Sequence, residues 1–261
     1  MSKNKKINTQ PLSGFMELRP QEQILFNTIR DSIEKNYRLF GFIPMDNPVI
    51  ERREVLFAKA GGETETQIYE LQKGDNELAL RFDLTVPLAR YVADKYGDLT
   101  FPFKRYQIAK VYRGEKPQAG RFREFYQADI DIIGNETLDI SYDAELPATI
   151  ISVFRDLGFE NFTIRINNRK IFDGLFASCG LQEKSKDIMN VIDRLEKIGK
   201  ESVQTELQKL DISAENIETL FNFLDISGNV AQVIAGLQAM NIENEIFAEG
   251  LSELKTVSQN L

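Results

Sequence analysis

The sequence predicts an α+β fold, in which an antiparallel sheet with flanking helices is followed by a smaller helical domain. Two observations lead to this prediction. In the first part of the chain, runs with a residue period of two indicate strands and stand beside helical stripes. From about Leu181 onward, apolar residues recur mainly at helical spacing and few strand signals remain. At 261 residues, the chain is long enough for one large domain and a smaller one.

The first predicted elements are a helix and a strand. Residues 20–40 carry an apolar stripe at helical spacing, and Gly41 suits the end of that helix. The apolar stretch 42–51 is a predicted strand. Because Pro44 and Pro48 cannot donate to a ladder, we expect this strand at a sheet edge or a subunit contact.

Two further strands are predicted over residues 66–72 and 77–84, around a turn at residues 73–76. A short helix over residues 85–97 follows, with Thr85 as a plausible N-cap. The elements that follow the hairpin described next are a helix over 142–157, a strand over 162–166 and a helix over 168–179 that ends at Gly180.

The most informative stretch is a predicted hairpin over residues 103–133, two strands joined by an arginine-rich loop. Between Lys104 and Tyr126 there are seven Lys or Arg residues and two Glu residues, although the net charge of the chain is −8. An acidic chain argues against a general nucleic-acid coat, but a local cluster of positive charge is what a nucleotide needs. Because arginine binds phosphate through two parallel hydrogen bonds, the loop is a predicted nucleotide site.

The second strand of the hairpin has two different faces. Period two places five residues together, namely Phe125, Gln127, Asp129, Asp131 and Ile133. We interpret this odd-numbered face as the wet, polar one and the even-numbered face as core. Any antiparallel sheet with one wet face alternates in this way, but the loop arginines can reach back over the polar residues. A polyanion beside a small zwitterion fits such a face, which points to an enzyme that activates an amino acid with ATP.

Composition excludes several kinds of chemistry. The chain has no histidine and one cysteine, so histidine-dependent triads and structural zinc sites are excluded. Cys179 lies in an apolar setting typical of a buried structural thiol, and a single cysteine fits a reducing cytoplasm. No run of about 18 apolar residues exists, so we predict no membrane span. Residues 1–12 are basic without a following apolar stretch, and we expect a flexible arm there.

The hairpin sequence VYRGEKPQAGRFREFYQADIDIIG resembles motif 2 of the class II aminoacyl-tRNA synthetases, in the form found in the histidyl-tRNA synthetase family. Three other segments agree in order and spacing. GFMELRPQEQ resembles the opening segment of that family, FGFIPMDNPVIE resembles the dimer-forming motif 1, and the stretch that ends in DLTVPLARYV resembles its histidine-binding segment. The resemblance implies a class II synthetase-like core over residues 13–180 and, more weakly, a helical insertion domain over residues 181–261.

The resemblance also implies roles for single residues. Those implied for ATP are Arg113, Glu115, Arg121 and Phe125, with Arg113 as the catalytic residue. Those implied for histidine are Asp83, Thr85, Arg113, Gln127 and Asp131. ATP and Mg²⁺ are implied as cofactors, tRNA-His as a partner, and no metal ligand set is implied in the protein. Two alternatives stay open: Asp83 as a helix cap beside Thr85, and Arg123 as a ligand or as a salt bridge with Glu124 or Asp129.

The family continues past the point that corresponds to Leu261, with a histidine-specific segment, motif 3 and an anticodon-binding domain. We therefore expect a fragment of a histidine–tRNA ligase with at most trace activity alone. The alternatives are a regulatory paralogue that binds histidine without making adenylate, a class II synthetase for another amino acid, and, remotely, an interaction module. Motif 1, at residues 37–51, predicts a homodimer with Pro48 near the interface.

Overall fold

The computed structural model describes residues 7–58 and 61–261, without the side chain of residue 63. The strands in this part of the chain are β1 (Ile43–Pro44), β2 (Ile50–Arg52), β3 (Glu70–Lys73), β4 (Asn76–Leu80), β5 (Phe103–Tyr112) and β6 (Glu124–Ile133). The helices up to residue 156 are α1 (Pro20–Leu39), α2 (Arg53–Phe57), α3 (Glu63–Gln67), α4 (Thr85–Lys95) and α5 (Tyr142–Asp156). The helices after residue 162 are α6 (Arg169–Ser178), α7 (Ser185–Ile192), α8 (Leu195–Ile198), α9 (Lys200–Lys209), α10 (Ala214–Leu224), α11 (Val230–Ala239) and α12 (Glu245–Gln259).

The chain divides into two compact units. The first takes in the described residues up to Tyr142 together with Ala148–Phe162, and the second takes in Asp143–Pro147 and Thr163–Leu261. All described strands lie in the first unit, and the second unit is built from helices. The predicted α+β fold is confirmed.

Two three-stranded sheets organise the first unit. One has the order β1-β5-β6, with β1 parallel to β5 and β5 antiparallel to β6, and the other is the antiparallel sheet β2-β4-β3. The predicted strand over residues 42–51 is therefore two short strands in different sheets, interrupted by a segment that contains Pro48. Its predicted place is confirmed, because both β1 and β2 lie at sheet edges.

Arg81 connects the two sheets directly after β4. Its side chain is 3% exposed, and its Nε donates to the carbonyl of Lys110 on β5 at 2.9 Å. Its backbone amide donates to Val49 O, and its carbonyl accepts from the amide of Tyr112. The strand predicted over 77–84 ends early, at Leu80, because the backbone of Arg81 bonds to Val49 on one side and to Tyr112 on the other.

Helix α1 covers the even-numbered face of the β5–β6 hairpin. The ring of Tyr37 lies 5.6 Å from that of Tyr106, and the ring of Phe26 lies 4.7 Å from that of Tyr126. The hydroxyl of Tyr37 donates to the carbonyl of Ala128 at 3.1 Å. The predicted helix over 20–40 and the predicted hairpin over 103–133 are thus both confirmed, and they pack together.

Three local predictions are wrong. Residues 66–67 belong to helix α3, so the strand predicted over 66–72 begins only at Glu70. Thr85 does not cap α4, because Asp83 Oδ1 accepts from the amide of Val86 at 3.1 Å instead. Residues 162–166 alternate in burial like a strand but have no ladder partner among the described residues, so they form no strand.

The second unit is a helical bundle around one apolar core. The core residues with at most 1% exposure are Leu175, Ile188, Val203, Leu207 and Leu220. The sequence placed the domain boundary at residue 180, whereas the compact units divide near residue 162, because α6 packs against α12 within the second unit. The division into a catalytic core over 13–180 and an insertion domain over 181–261 stays a prediction.

Residues 1–6 of the predicted N-terminal arm lie outside the described residues, and residues 7–12 are exposed and without regular secondary structure. Across residues 7–58 and 61–261, no helix has the length and apolar character needed to cross a membrane.

Helices α6 and α12 approach closely at two glycines. A Cβ added to Gly174 would lie 2.6 Å from Phe247 Cα, and one added to Gly250 would lie 2.8 Å from Lys170 Cβ. At the same crossing, Asn168 caps α6 and donates to Glu253 Oε2 at 2.7 Å. The small residues therefore set the distance between these two helices.

We expect Gly174→Ala to destabilise the protein, although alanine favours helices. The added Cβ would clash with backbone, and overpacking of this kind lowers the free energy of unfolding by roughly 1–3 kcal/mol. Urea unfolding followed by circular dichroism measures the change. Gly97→Ala is the matched control, since a Cβ there meets no atom within 4 Å. Equal stabilities of the two variants would contradict the close-approach interpretation.

Candidate functional site

The register of the hairpin aligns polar residues on one face of β5 and β6. Arg105 lies opposite Asp131, Gln107 opposite Asp129, and Ala109 opposite Gln127. We call the odd-numbered residues of the two strands the polar face. The predicted grouping on β6 is confirmed, but the expectation that this face is the wet one is wrong. The side chains of Arg105 and Gln107 are buried on it, whereas Tyr126 on the other face is 43% exposed.

An ion pair with a buried arginine lies on the polar face, next to the pair Phe103–Ile133. Arg105 is completely buried, and its Nη2 lies 2.6 Å from Asp131 Oδ2, although the two groups are not aligned as a hydrogen bond. Burial lowers the pKa of Arg105, while the charges of Asp131 and Asp129 act in the opposite direction. Burying an ion pair is costly, so a pair in this place indicates a role other than stability alone.

Several buried polar atoms on this face have no hydrogen-bond partner among the described residues. They are Gln107 Oε1, Gln127 Oε1, all three guanidinium nitrogens of Arg105, and Asp131 Oδ2, which meets Arg105 Nη2 only as an ion pair. The amide nitrogen of Gln107 does have a partner, since its Nε2 donates to Asp46 Oδ1 at 2.7 Å. Unpaired buried polar atoms are rare in folded proteins, and each calls for a specific explanation. A cluster of them on one face supports a polar ligand site.

Three carboxyl groups at the site have a raised pKa. Burial raises the pKa of Asp131, opposed by the charge of Arg105. Burial also raises the pKa of Asp129, and the neighbouring charges of Asp131 and Asp83 add to the effect. Burial raises the pKa of Asp83, whereas the hydrogen bond from the Val86 amide and the charge of Arg113 lower it by less. The pKa of each carboxyl therefore depends on the charge of Arg105, of Arg113 or of both, and that of Asp129 depends on the other two carboxyls as well.

Asp83 and Thr85 stand where helix α4 begins. One oxygen of Asp83 accepts the Val86 amide, so the capping role that the sequence left open is present. Capping does not exclude a ligand role, because Asp83 also interacts electrostatically with Asp129 and Arg113. Thr85 is exposed at the first residue of α4.

Arg113 begins the loop between β5 and β6, which we call the arginine loop (residues 113–123). Its Nε donates to the carbonyl of Phe82 at 3.1 Å, and its Cζ lies 5.1 Å from the centroid of the Phe125 ring. The sequence pattern did not fix the direction of this side chain. The structure places it over Phe125, which belongs to the polar face.

The rest of the arginine loop brings Glu115 and Arg121 together. Arg121 Nη1 lies 3.4 Å from Glu115 Oε2, and the Arg121 side chain is 64% exposed. Gly114 donates its amide to Gln67 O at 2.7 Å, and a Cβ at this glycine would lie 3.2 Å from the same oxygen. The loop thus approaches a second segment of backbone where only glycine fits without adjustment.

Arg105 and Gln107 are polar-face residues that the sequence reasoning missed, and Asp129, which it placed on that face, was given no ligand role. The signal that could have found them is the register, because once Tyr112 is paired with Glu124, every opposite pair along the hairpin follows. Counting back along the strands places Arg105 across from Asp131 and on the same face.

The chain is similar to proteins of one family. A sequence model described as "Histidyl-tRNA synthetase" matches residues 14–261. A histidine–tRNA ligase of Clostridium tetani is 54% identical over 246 residues, which is 94% of this chain and 56% of that ligase. A histidine–tRNA ligase of Finegoldia magna is 45% identical over 255 residues, which is 98% of this chain and 59% of that ligase.

Solved structures agree with these relatives. The crystal structure of histidyl-tRNA synthetase from Nostoc sp. PCC 7120 matches with a TM-score of 0.89 and 42% identity, covering 98% of this chain and 58% of the other. A structure titled as an ATP phosphoribosyltransferase regulatory subunit/histidyl-tRNA synthetase from Bacillus halodurans matches with a TM-score of 0.83 and 23% identity. The match covers 98% of this chain and 65% of the other. The second similarity shows the fold alone.

We expect Asp129→Asn to stabilise the unliganded protein at pH 7. Burial raises the pKa of Asp129 above its ordinary 3.8, so its ionised form disfavours the native state at neutral pH. Below about pH 3.8 the carboxyl is protonated in both states, and the gain should disappear. The gain therefore grows as the pH rises from the ordinary pKa through the raised one.

Thermal unfolding of both proteins between pH 3.5 and pH 7, at about half-unit steps, measures this difference. Asp75→Asn in the exposed β3–β4 turn is the control, since surface substitutions of this kind change stability little. A variant that is less stable than the wild type at pH 7, or a gain independent of pH, would contradict the assigned cause.

Proposed function

We propose that this chain, which belongs to the histidyl-tRNA synthetase family, carries the histidine- and ATP-binding part of a histidine–tRNA ligase. The chain spans 56% and 59% of the length of the two curated ligases described above, so the activity of the whole protein belongs to the proposal. The observation that carries it is the position of Arg113. This phosphate-binding type of side chain lies within electrostatic reach of Asp83 and Asp129, at the end of a buried polar face.

Histidine would lie along the polar face. Asp83, Thr85 and Gln127 would accept hydrogen bonds from its α-ammonium group, which needs acceptors. Asp131 would accept from an imidazole N–H and so distinguish histidine from apolar amino acids, since a site built for a hydrogen bond rejects ligands that lack it. Arg113 would hold the α-carboxylate. Gln127 has a buried oxygen without a hydrogen-bond partner among the described residues, which fits this assignment.

ATP would lie under the arginine loop. Arg113 uses its Nε on Phe82 O, and its terminal nitrogens would hold the α-phosphate. The exposed Arg121 would reach the β- and γ-phosphates, and its side chain would leave Glu115, which would then accept from the adenine region. Phe125 would stack on the adenine ring. Mg²⁺ would arrive with ATP and add positive charge at the triphosphate.

In the first step, the carboxylate of histidine attacks the α-phosphorus of ATP, and pyrophosphate leaves. Arg113 holds both reacting groups, so it orients the attack and stabilises the charge that develops on the phosphoryl oxygens. In the second step, a terminal ribose hydroxyl of tRNA-His attacks the carbonyl carbon of the adenylate, so that an ester forms and AMP leaves with the release of a proton. Neither step needs a histidine of the protein, which agrees with a chain that has none. We place the reaction in the cytoplasm, where a single unpaired cysteine stays reduced.

The regulatory paralogue is the second candidate, and it is not favoured. The relatives described above that are more than 40% identical to this chain carry the name of the ligase or the synthetase, whereas the structure with a regulatory title is 23% identical. A regulator also has no need for an arginine loop shaped for a triphosphate. A class II synthetase for another amino acid is opposed by the same relatives.

We further propose that the protein forms a homodimer through residues 37–51 and the adjoining face of α1. Large apolar side chains are exposed in this region, namely Ile24, Leu25, Leu39, Ile43 and Ile50, with exposures between 47% and 72%. Several large apolar side chains exposed in one region of the chain favour a protein–protein interface there. Pro48 lies between two of these residues in the sequence and would be near the contact.

Histidine-dependent ATP–pyrophosphate exchange by the complete gene product is the test of the reaction. We expect Arg113→Ala to lower the exchange rate by about 10²- to 10³-fold, the effect of removing a donor that stabilises transition-state charge. Arg113→Lys should lose most of the rate as well, because it lacks the bidentate geometry.

Arg169→Ala is the matched control, since the Arg169 side chain is 92% exposed and should leave the exchange rate unchanged. A folded wild-type protein that binds histidine but catalyses no exchange would favour the regulatory paralogue and contradict the ligase. Exchange driven equally well by another amino acid would contradict the histidine assignment.

For the dimer, we expect Leu39→Glu to shift the wild-type dimer toward monomer, because a buried unpaired charge opposes association. Sedimentation velocity at micromolar concentration measures the change. Leu12→Glu is the control, because Leu12 is just as exposed but lies outside the proposed interface. A monomeric wild type, or a dimer that tolerates Leu39→Glu, would refute this interface.

A further inference from the structure

Arg123 lies at the end of the arginine loop and forms neither of the two salt bridges that the sequence suggested. Glu124, one of its suggested salt-bridge partners, binds Lys110 instead at 2.7 Å. The other, Asp129, interacts with the charge of Arg105. The half-buried guanidinium of Arg123 donates to two backbone carbonyls, Nε to Glu115 O at 2.9 Å and Nη1 to Ser13 O at 3.4 Å.

The backbone of Arg123 makes further bonds to the same two segments. The amides of Arg123 and Glu124 both donate to Gly14 O, at 2.8 and 3.2 Å. The carbonyl of Arg123 accepts from the amide of Arg113 at 2.9 Å. Arg123 therefore connects Arg113 and Glu115 of the loop with residues 13–14, which lie more than 100 positions earlier in the chain.

The earlier segment is a tight turn that requires glycine. The amide of Phe15 donates to Leu12 O at 3.0 Å, and Gly14, the third residue of this turn, has φ = +85°. Positive φ at that position is typical of a type II turn and favours glycine. Space is also limited, since a Cβ at Gly14 would lie 3.0 Å from both Arg123 Cγ and Pro117 Cγ. The ring of Phe15 lies 6.4 Å from that of Tyr69, so the turn also contacts the residue before β3.

We propose that this contact is a latch, formed by residues 12–15 and Arg123, that fixes the shape of the arginine loop for the triphosphate. Arg123 is in this view a positioning residue rather than a ligand, because two of its three guanidinium nitrogens are engaged by backbone. The latch fixes Glu115 through its backbone carbonyl and Arg113 through its backbone amide. It leaves the side chain of Arg121 64% exposed, so that this side chain can receive phosphate. The role assigned to the latch depends on the proposed ATP site.

Steady-state exchange kinetics of the complete gene product separate positioning from direct binding. We expect Arg123→Ala to raise the KM for ATP about tenfold or more, the size expected for losing a charge-assisted hydrogen bond, while the KM for histidine changes less than about twofold. Arg123→Lys should be almost as impaired, because one ammonium group does not replace a fork that reaches two carbonyls. Rescue by Lys would mean that Arg123 binds phosphate by its charge, and would overturn the proposal.

Gly14→Ala tests the latch from its other side and leaves every charged group in place. We expect the same selective rise in the KM for ATP, and no additional rise when Arg123→Ala is combined with it, since both changes open one contact. Arg169→Ala serves again as the neutral control. An unchanged KM for ATP in Gly14→Ala, or a parallel rise in the KM for histidine, would refute the latch.

Amide hydrogen exchange provides a readout that does not depend on catalysis. In Gly14→Ala, the amides of Arg123 and Glu124 should exchange faster, and peptides covering residues 113–121 should lose protection, while the α6–α12 crossing is unaffected. If the wild type catalyses no pyrophosphate exchange, the proposed function fails, but this measurement still decides the latch. Unchanged protection of the loop in both latch variants would overturn it.

Discussion

The pairing register of β5 with β6 is the constraint on which the candidate site depends. A shift of one residue would turn every side chain of one strand to the opposite face and separate Arg105 from Asp131. The guanidinium of Arg105 is completely buried, and a buried charge without a partner is strongly unfavourable. The ion pair therefore opposes register slips and so specifies which residues lie on the polar face.

The shape of the arginine loop depends on contacts with segments that are distant in sequence. Its residues bond to the backbone oxygens of Ser13, Gly14, Gln67 and Phe82, which belong to three separate parts of the chain. The loop contributes the exposed side chain of Arg121, whereas its backbone is held at both ends. Such support is what a binding constellation needs, because small displacements of phosphate-binding groups weaken catalysis considerably.

Sequence patterns predicted the elements whose signals are local. Helix α1, the hairpin and the helices of the second unit follow from period and capping, and the prolines correctly placed β1 and β2 at sheet edges. A strand over 162–166 was predicted from its residues alone, but a strand also needs a partner. The roles of Arg105 and Arg123 are set by the strand opposite and by a distant turn, neither of which a local pattern contains.

The charge balance of the polar face connects its energetics to its ligand. Around Asp129, the three carboxyls of residues 83, 129 and 131 face the two guanidinium groups of Arg105 and Arg113, so negative charge is in excess when all are ionised. Burial raises the pKa of all three carboxyls, and at Asp129 the charges of Asp131 and Asp83 raise it further. A ligand with an ammonium group beside the acids and a carboxylate beside Arg113 would bring a matching positive charge to the buried acids. Binding such a zwitterion would lower those pKa values again, because its ammonium group stabilises the ionised acids. The unfavourable free energy of ionised, buried acids in the unliganded protein would then be relieved only by a ligand with a correctly placed positive charge.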